Sequence, residues 1–192
     1  MLFQLWLLFN IETYFPKEQY DFWFRVLISY IGLQALIFAL PDARSKLFNL
    51  SFFKNVPRFI AYLFGAIIFF TFILVKFDPL GTTGFKLLAG VPLTILFIHA
   101  FVFATSEETF FRGFLNDKIG IIWSSVLFGV FHYTVWLGSW IAVFGGALLG
   151  LFFSYIHYRF SANKNDQVPE IAVHTGYNAV KLGMFALKGV LQ

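Results

Sequence analysis

Glu107, Glu108, Arg112, His132, His174 and Asn178 all fall inside or at the edges of stretches of this 192-residue chain that are otherwise apolar enough for a bilayer. A charged side chain in hydrocarbon costs about 2.5 to 3.5 kcal/mol on insertion scales, so each needs a partner, a wet cavity or a function. Glu108 and Arg112, four apart, share a helix face and suit an intrahelical ion pair. Glu107 points about 100° away and lacks that neutraliser. Phe128 with His132, and His174 with Asn178, repeat the four-residue spacing, so each pair also shares a face. A lone Glu-Glu reads equally well as a helix end snorkelling into head groups, and a lone intramembrane His more often packs than reacts. Two His, a free Glu and an Asn together could hold a polarised water, with a carboxylate base, an imidazole beside it, and His and Asn donors for a developing oxyanion. Glu107, His132 and His174 could equally take zinc, although the HExxH spacing is absent. Spacing alone leaves both chemistries open.

These groups must be positioned by helices in a membrane. Soluble domains carry charge on about a quarter of their residues; here the share is 12%, with 59% hydrophobic residues and 29 Phe. Apolar runs of about 18 to 22 residues recur, each long enough to cross a bilayer. The expected fold is all-α, a polytopic transmembrane helical bundle with spans near 22–40, 59–77, 87–116, 119–136, 138–158 and 169–190. Residues 1–9 are too few to span and should lie in the interface or dip in partway. They lack the basic n-region and cleavage site of a removable signal peptide. The whole chain, 1–192, reads as a single integral membrane domain. A turn near Ile119-Gly120 would place Glu107 and His132 each roughly 18 to 20 Å from it, on antiparallel helices. His174 would enter only roughly 7 to 8 Å along its own helix, so it meets the others only if the 107–132 hairpin projects beyond the bilayer on the face from which that helix enters.

The connections 41–58, 116–119 and 159–168 should share one membrane face. Arg44, Lys46, Lys54, Arg58, Lys118, Arg159 and Lys164 lie there, seven against the five of Lys17, Arg25, Lys76, Lys86 and Lys188, which favours that face as cytoplasmic. Cysteine is absent, so thiolate chemistry and disulfides are excluded. The net charge of +4 is scattered and gives no reason to invoke nucleic acid. Lys181 shares the face of His174 and Asn178 and either reaches neighbouring carbonyls or binds a substrate carboxylate. His99 reads as a packing or hydrogen-bonding residue, His157 as an interfacial one, and Gly146 to Gly150 as a GxxxG for close helix packing.

Glu107-Glu108-Thr109-Phe110-Phe111-Arg112-Gly113, Phe128 to His132 and His174 to Asn178 resemble, in order, the EExxFRG, FxxxH and HxxxN motifs of the CPBP intramembrane proteases, a core of about 88–190. That family includes type II CAAX prenyl endopeptidases and bacteriocin-processing or immunity proteins of the Abi type. The resemblance implies a multi-pass protein of the cell membrane that hydrolyses peptide or protein substrates, lipidated ones in its range, at a site facing the cytoplasm. It implies Glu107 as general base with His132 as its partner, His174 and Asn178 at the oxyanion, and Glu108, Arg112 and Phe128 in support. It implies no cofactor, with zinc on Glu107, His132 and His174 as the alternative. The chain is short for the family, so accessory helices that admit a lipidated tail are expected to be missing. A non-catalytic immunity or scaffold protein of the same fold is the competing reading; a small transporter or channel is the third.

Overall fold

The computed structural model describes residues 1–48, 55–77, 91–135, 139–163 and 165–190. These are helical almost throughout and include no strand. In order, the helices are α1 (Leu2–Phe9), α2 (Ile11–Tyr14), α3 (Tyr20–Ala39), α4 (Pro41–Phe48), α5 (Val56–Phe77) and α6 (Leu93–Glu107). A π-helical segment, Glu108–Leu115, continues α6 into α7 (Asn116–Val135), and α8 (Trp140–Phe160) and α9 (Val168–Val190) follow.

The surface is the inverse of a soluble protein's. Phe64, Ile68 and Phe72 lie at successive turns of α5 and are 61 to 71% exposed, while Glu107, Glu108, Arg112 and Glu170 are at most 1% exposed. Apolar faces outward and charges inward suit a hydrocarbon solvent. Among the described residues four helical stretches are long and apolar enough to cross a bilayer: Lys17–Ala39, Val56–Ile73, Leu93–Tyr133 and Trp140–Phe160. The third folds back on itself at Gly120, whose φ of 81° and ψ of 165° interrupt the helix. A Cβ makes such a φ costly, and Gly carries none. The turn thus falls where the sequence places it. The protein is an integral membrane protein.

All six expected spans form helices, with shifted ends. The start of the 87–116 span lies outside the described residues in part; the helix is seen from Leu93. One element is unforeseen: Pro41 not only follows the end of α3, which Leu40 caps in an extended conformation, but occupies the first turn of α4, a position where its missing N–H costs nothing. Helix α4 lies against the hairpin tip, with Lys118 Nζ 2.8 Å from Asp42 Oδ2 and Lys46 Nζ 3.3 Å from Asp117 Oδ2. Lys46 also donates to Asn165 Oδ1 at 2.8 Å. Three connections therefore meet at one end of the bundle, as expected. Lys54 and Lys164 lie outside the described residues. At the N-terminus, α1 dips into the bundle: Gln4 and Leu7 are fully buried, and Phe3 meets His99 edge-on at 5.8 Å.

Lipid supplies no hydrophobic force between helices, so close packing must hold them. The α7/α8 crossing shows it. A Cβ added to Gly146 would lie 3.1 Å from Gly129 Cα and 3.5 Å from His132 Cγ; one at Gly150 would lie 3.0 Å from Ser125 Cα and 3.3 Å from the Phe128 ring. The GxxxG is a packing face, and what packs on it is the stretch of α7 that carries Phe128 and His132.

Candidate active site

Glu107 is the last residue of α6 and Glu108 the first of the π-helical segment. Such turns, closed by i→i+5 bonds, are rare and concentrate at functional sites. The wider turn still leaves Glu108 facing Arg112, with Nε 3.2 Å from Oε2. No nitrogen of Arg112 has a hydrogen-bond partner among the described residues. Its guanidinium lies instead over the Phe128 ring, 4.1 Å from the centroid, with Phe153 at 5.5 Å. A guanidinium on an aromatic face is held by the ring quadrupole, an attraction that strengthens away from water. Phe128 thus serves as the floor under the cation, which gives the FxxxH phenylalanine a physical task.

Glu107 faces elsewhere, as its position on the helix requires. His174 Nε2 is 3.4 Å from its Oε2 and His132 Nε2 is 4.0 Å from its Oε1. His174 Nδ1 is hydrogen-bonded to Glu108 Oε1 at 2.6 Å, so the imidazole from α9 is gripped on one side and presented to Glu107 on the other. Phe153 stacks on that imidazole at 4.4 Å. His132 Nδ1 lies 2.8 Å from the Phe128 carbonyl oxygen, which directs Nε2 at the carboxylate by the geometry common to functional histidines. The expected meeting of three helices therefore occurs. Thr109 Oγ1 donates to Gln167 Oε1 at 3.2 Å, so the segment beyond Thr109 extends past the start of α9.

Sequence spacing does not disclose the fourth neighbour. The Tyr30 hydroxyl of α3 donates to Glu107 Oε1. Tyr30 is one of eight tyrosines and stands 77 residues away, with no periodicity to mark it. Asn178 lies one turn beyond His174, half-buried, and Lys181 farther along α9, also half-buried; the cluster of close contacts is built without them.

Two readings need adjustment. His157, expected at an exposed interface, is buried, and its Nδ1 lies 2.7 Å from Glu170 Oε1; the carboxylate that buries with it comes from another helix. His99 does pack, between Phe103 at 3.9 Å and Trp23 at 5.4 Å, but neither ring nitrogen has a hydrogen-bond partner among the described residues. Packing alone accounts for it.

Glu107 is 1% exposed. A cavity of about 170 Å³ lies next to it in sequence and space, bounded by Gln34, Thr105 and Ser106 with apolar walls including Ile37 and Phe101. Among the described residues no group of three His, Asp or Glu is arranged to hold a metal ion. One nitrogen of His174 is taken by Glu108 and one oxygen of Glu107 by Tyr30, so no step is routed through zinc.

A buried carboxylate flanked by two imidazoles, beside a neutralised carboxylate–guanidinium pair, is the arrangement the three motifs imply. Residues 89–180 match the sequence model of the family described as type II CAAX prenyl endopeptidase Rce1-like. Over those residues the chain is similar to this family. The match contains every motif residue from Glu107 to Asn178, and the activity the family's description names is that of a CAAX prenyl endopeptidase. No curated protein and no solved structure matched the chain.

Proposed function

We propose that Glu107 is the general base that activates water for hydrolysis of a peptide bond near the cytoplasmic face of the cell membrane. The observation that supports this reading is the division of labour between adjacent carboxylates: Arg112 and His174 Nδ1 occupy Glu108, while the ion-pair contacts of Glu107 among the described residues are to His174 and His132. The 4.0 Å between His132 Nε2 and Glu107 Oε1 suits a water touching both. Glu107 takes a proton from that water, the hydroxide adds to the scissile carbonyl, and the oxygen gains charge. His174 Nε2–H and the Asn178 amide then serve as its donors, a form of stabilisation worth about 2.7 to 4 kcal/mol per donor in enzymes of this type. The proton on Glu107 passes to the leaving amine. Lys181, deeper on α9, is assigned to the substrate's free carboxylate. Substrates of this reading are CAAX-type or leader peptides, with or without a lipid.

The test is mass spectrometry of membrane-anchored peptides, prenylated and plain, incubated with the protein in lipid. Cleavage by the wild type that Glu107→Gln abolishes supports the assignment; adding a chelator separates a glutamate-only mechanism from a zinc-dependent one. Absence of any Glu107-dependent product would favour the non-catalytic scaffold reading.

A further inference from the structure

We infer that Tyr30 is a positioning residue for Glu107, its hydroxyl holding the carboxylate turned toward its water; this rests on the assignment of Glu107 as the base. Tyr30 lies outside the family-matched residues 89–180, so nothing in the motif set assigns it. Its ring is fixed without help from the hydroxyl. It stacks on Phe103 with centroids 3.3 Å apart and planes 3° from parallel, and meets Phe131 edge-on at 5.4 Å. With 3% of its surface exposed, the phenol can aim its O–H at few places, and Glu107 Oε1 receives it. One turn along α3, Gln34 Nε2 donates to Ser106 Oγ at 2.8 Å, so two adjacent residues of α6 are tied to successive turns of α3.

The chemistry of the donor matters. An arginine at this place would neutralise Glu107 and quench its basicity, as Arg112 does for Glu108. A phenol is a neutral donor: it favours the ionised carboxylate without cancelling its charge. Because the hydrogen bond falls on Oε1, one lone pair of that oxygen is committed to α3 and the remaining one is available toward His132. Oε2 meanwhile faces His174. The groups that act on Glu107 are therefore Tyr30 from α3, His132 from α7, His174 from α9, and Glu108 and Arg112 from its own helix.

Tyr30→Phe keeps the stack and deletes the hydroxyl. Infrared difference spectra of the full-length protein in lipid, taken at one pH between the wild type and Glu107→Gln, isolate the stretching bands of the Glu107 carboxylate. In Tyr30→Phe those bands should shift in frequency, since the hydrogen bond from the hydroxyl is lost. Turnover of a cleaved peptide should fall about ten- to a hundredfold, the size of a hydrogen bond to a charged group, with KM and melting temperature little changed. Bands unmoved in Tyr30→Phe overturn the inference even if cleavage is Glu107-dependent. Shifted bands with no cleavage by the wild type support the role of Tyr30 and sink the protease reading instead. Should Tyr30→Phe fail to fold, 3-fluorotyrosine at position 30 keeps the ring and strengthens the donor, and the bands must then shift in the opposite direction.

Discussion

Among the described residues two histidine–carboxylate hydrogen bonds are buried, and one of them lies in the candidate site. His174 and Glu108 meet at 2.6 Å; His157 and Glu170 meet at 2.7 Å. Both pairs are buried, and both involve α9. Around Glu170 the polar capacity is used up locally: His157 takes Oε1, and Ser161, one turn on, lies 3.4 Å from Oε2. The pair clamps the end of α8 to the start of α9. Around Glu108 the same geometry leaves something over, because the next residue is a second carboxylate and the far nitrogen of His174 faces it. A buried His–Glu pair is thus a structural device by default; reactivity comes from the extra carboxylate beside it.

That contrast can be broken experimentally. The largest effect should come from Glu107→Gln, which keeps shape and removes the base. Turnover is expected to fall at least a thousandfold, within the range of a lost general base, with the melting temperature unchanged. Next, Arg112→Ala should cost about 3 to 5 kcal/mol of stability, because it strands the buried Glu108 without its cation. Thermal melting in lipid would read it, and a normally stable but slower protein would dissolve the ion-pair assignment. His132→Ala and Asn178→Ala should each cut turnover about a hundredfold, near 2.7 kcal/mol, while leaving melting almost untouched. Glu170→Gln should do the reverse, lowering stability by about 1 to 3 kcal/mol as a buried polar group loses its match, with the rate constant of cleavage near wild type. If Glu170→Gln abolished cleavage in a stably folded protein, the two pairs would not be separable as argued.

The smallest effect concerns the loop before α9. Burial would raise the Asp166 carboxyl, but the Ala162 and Val168 N–H groups and Arg58 outweigh it and hold it below the usual value. A carboxylate held low in the folded protein contributes stability above its ordinary value of 3.8 that disappears as the pH falls below it. Amide exchange at Ala162 and Val168 should therefore quicken, beyond its intrinsic dependence, between about pH 5 and about pH 3. In Asp166→Asn that extra acceleration should vanish.

Local pattern revealed what is local. Spacing of four found Glu108 with Arg112 and Phe128 with His132, apolar run length found the helices, and a Gly between polar residues found the Gly120 turn. Helix rise then put Glu107 level with His132. What spacing could not reveal is pairing across distant helices: Tyr30 with Glu107, and His157 with Glu170, have no common period to connect them. Helix α4 was hidden for a different reason. Eight residues with mixed polarity carry neither a spanning run nor a clear apolar stripe, and the partners that hold them, a buried Ala43 and ion pairs to the hairpin tip, are distant in sequence. Nor does EExxFRG betray a π-helical turn, whose i→i+5 closure depends on what packs around it.

The grip of Glu108 on His174 also says when in its own manufacture the protein becomes competent. A chain emerging from the ribosome delivers α3 with Tyr30 first, then the hairpin with both carboxylates and His132, and after them the helix that carries His174 and Asn178. Until that helix docks, Glu108 lacks its histidine and the proposed oxyanion donors are absent. On this reading the proposed site is assembled only when α9 arrives.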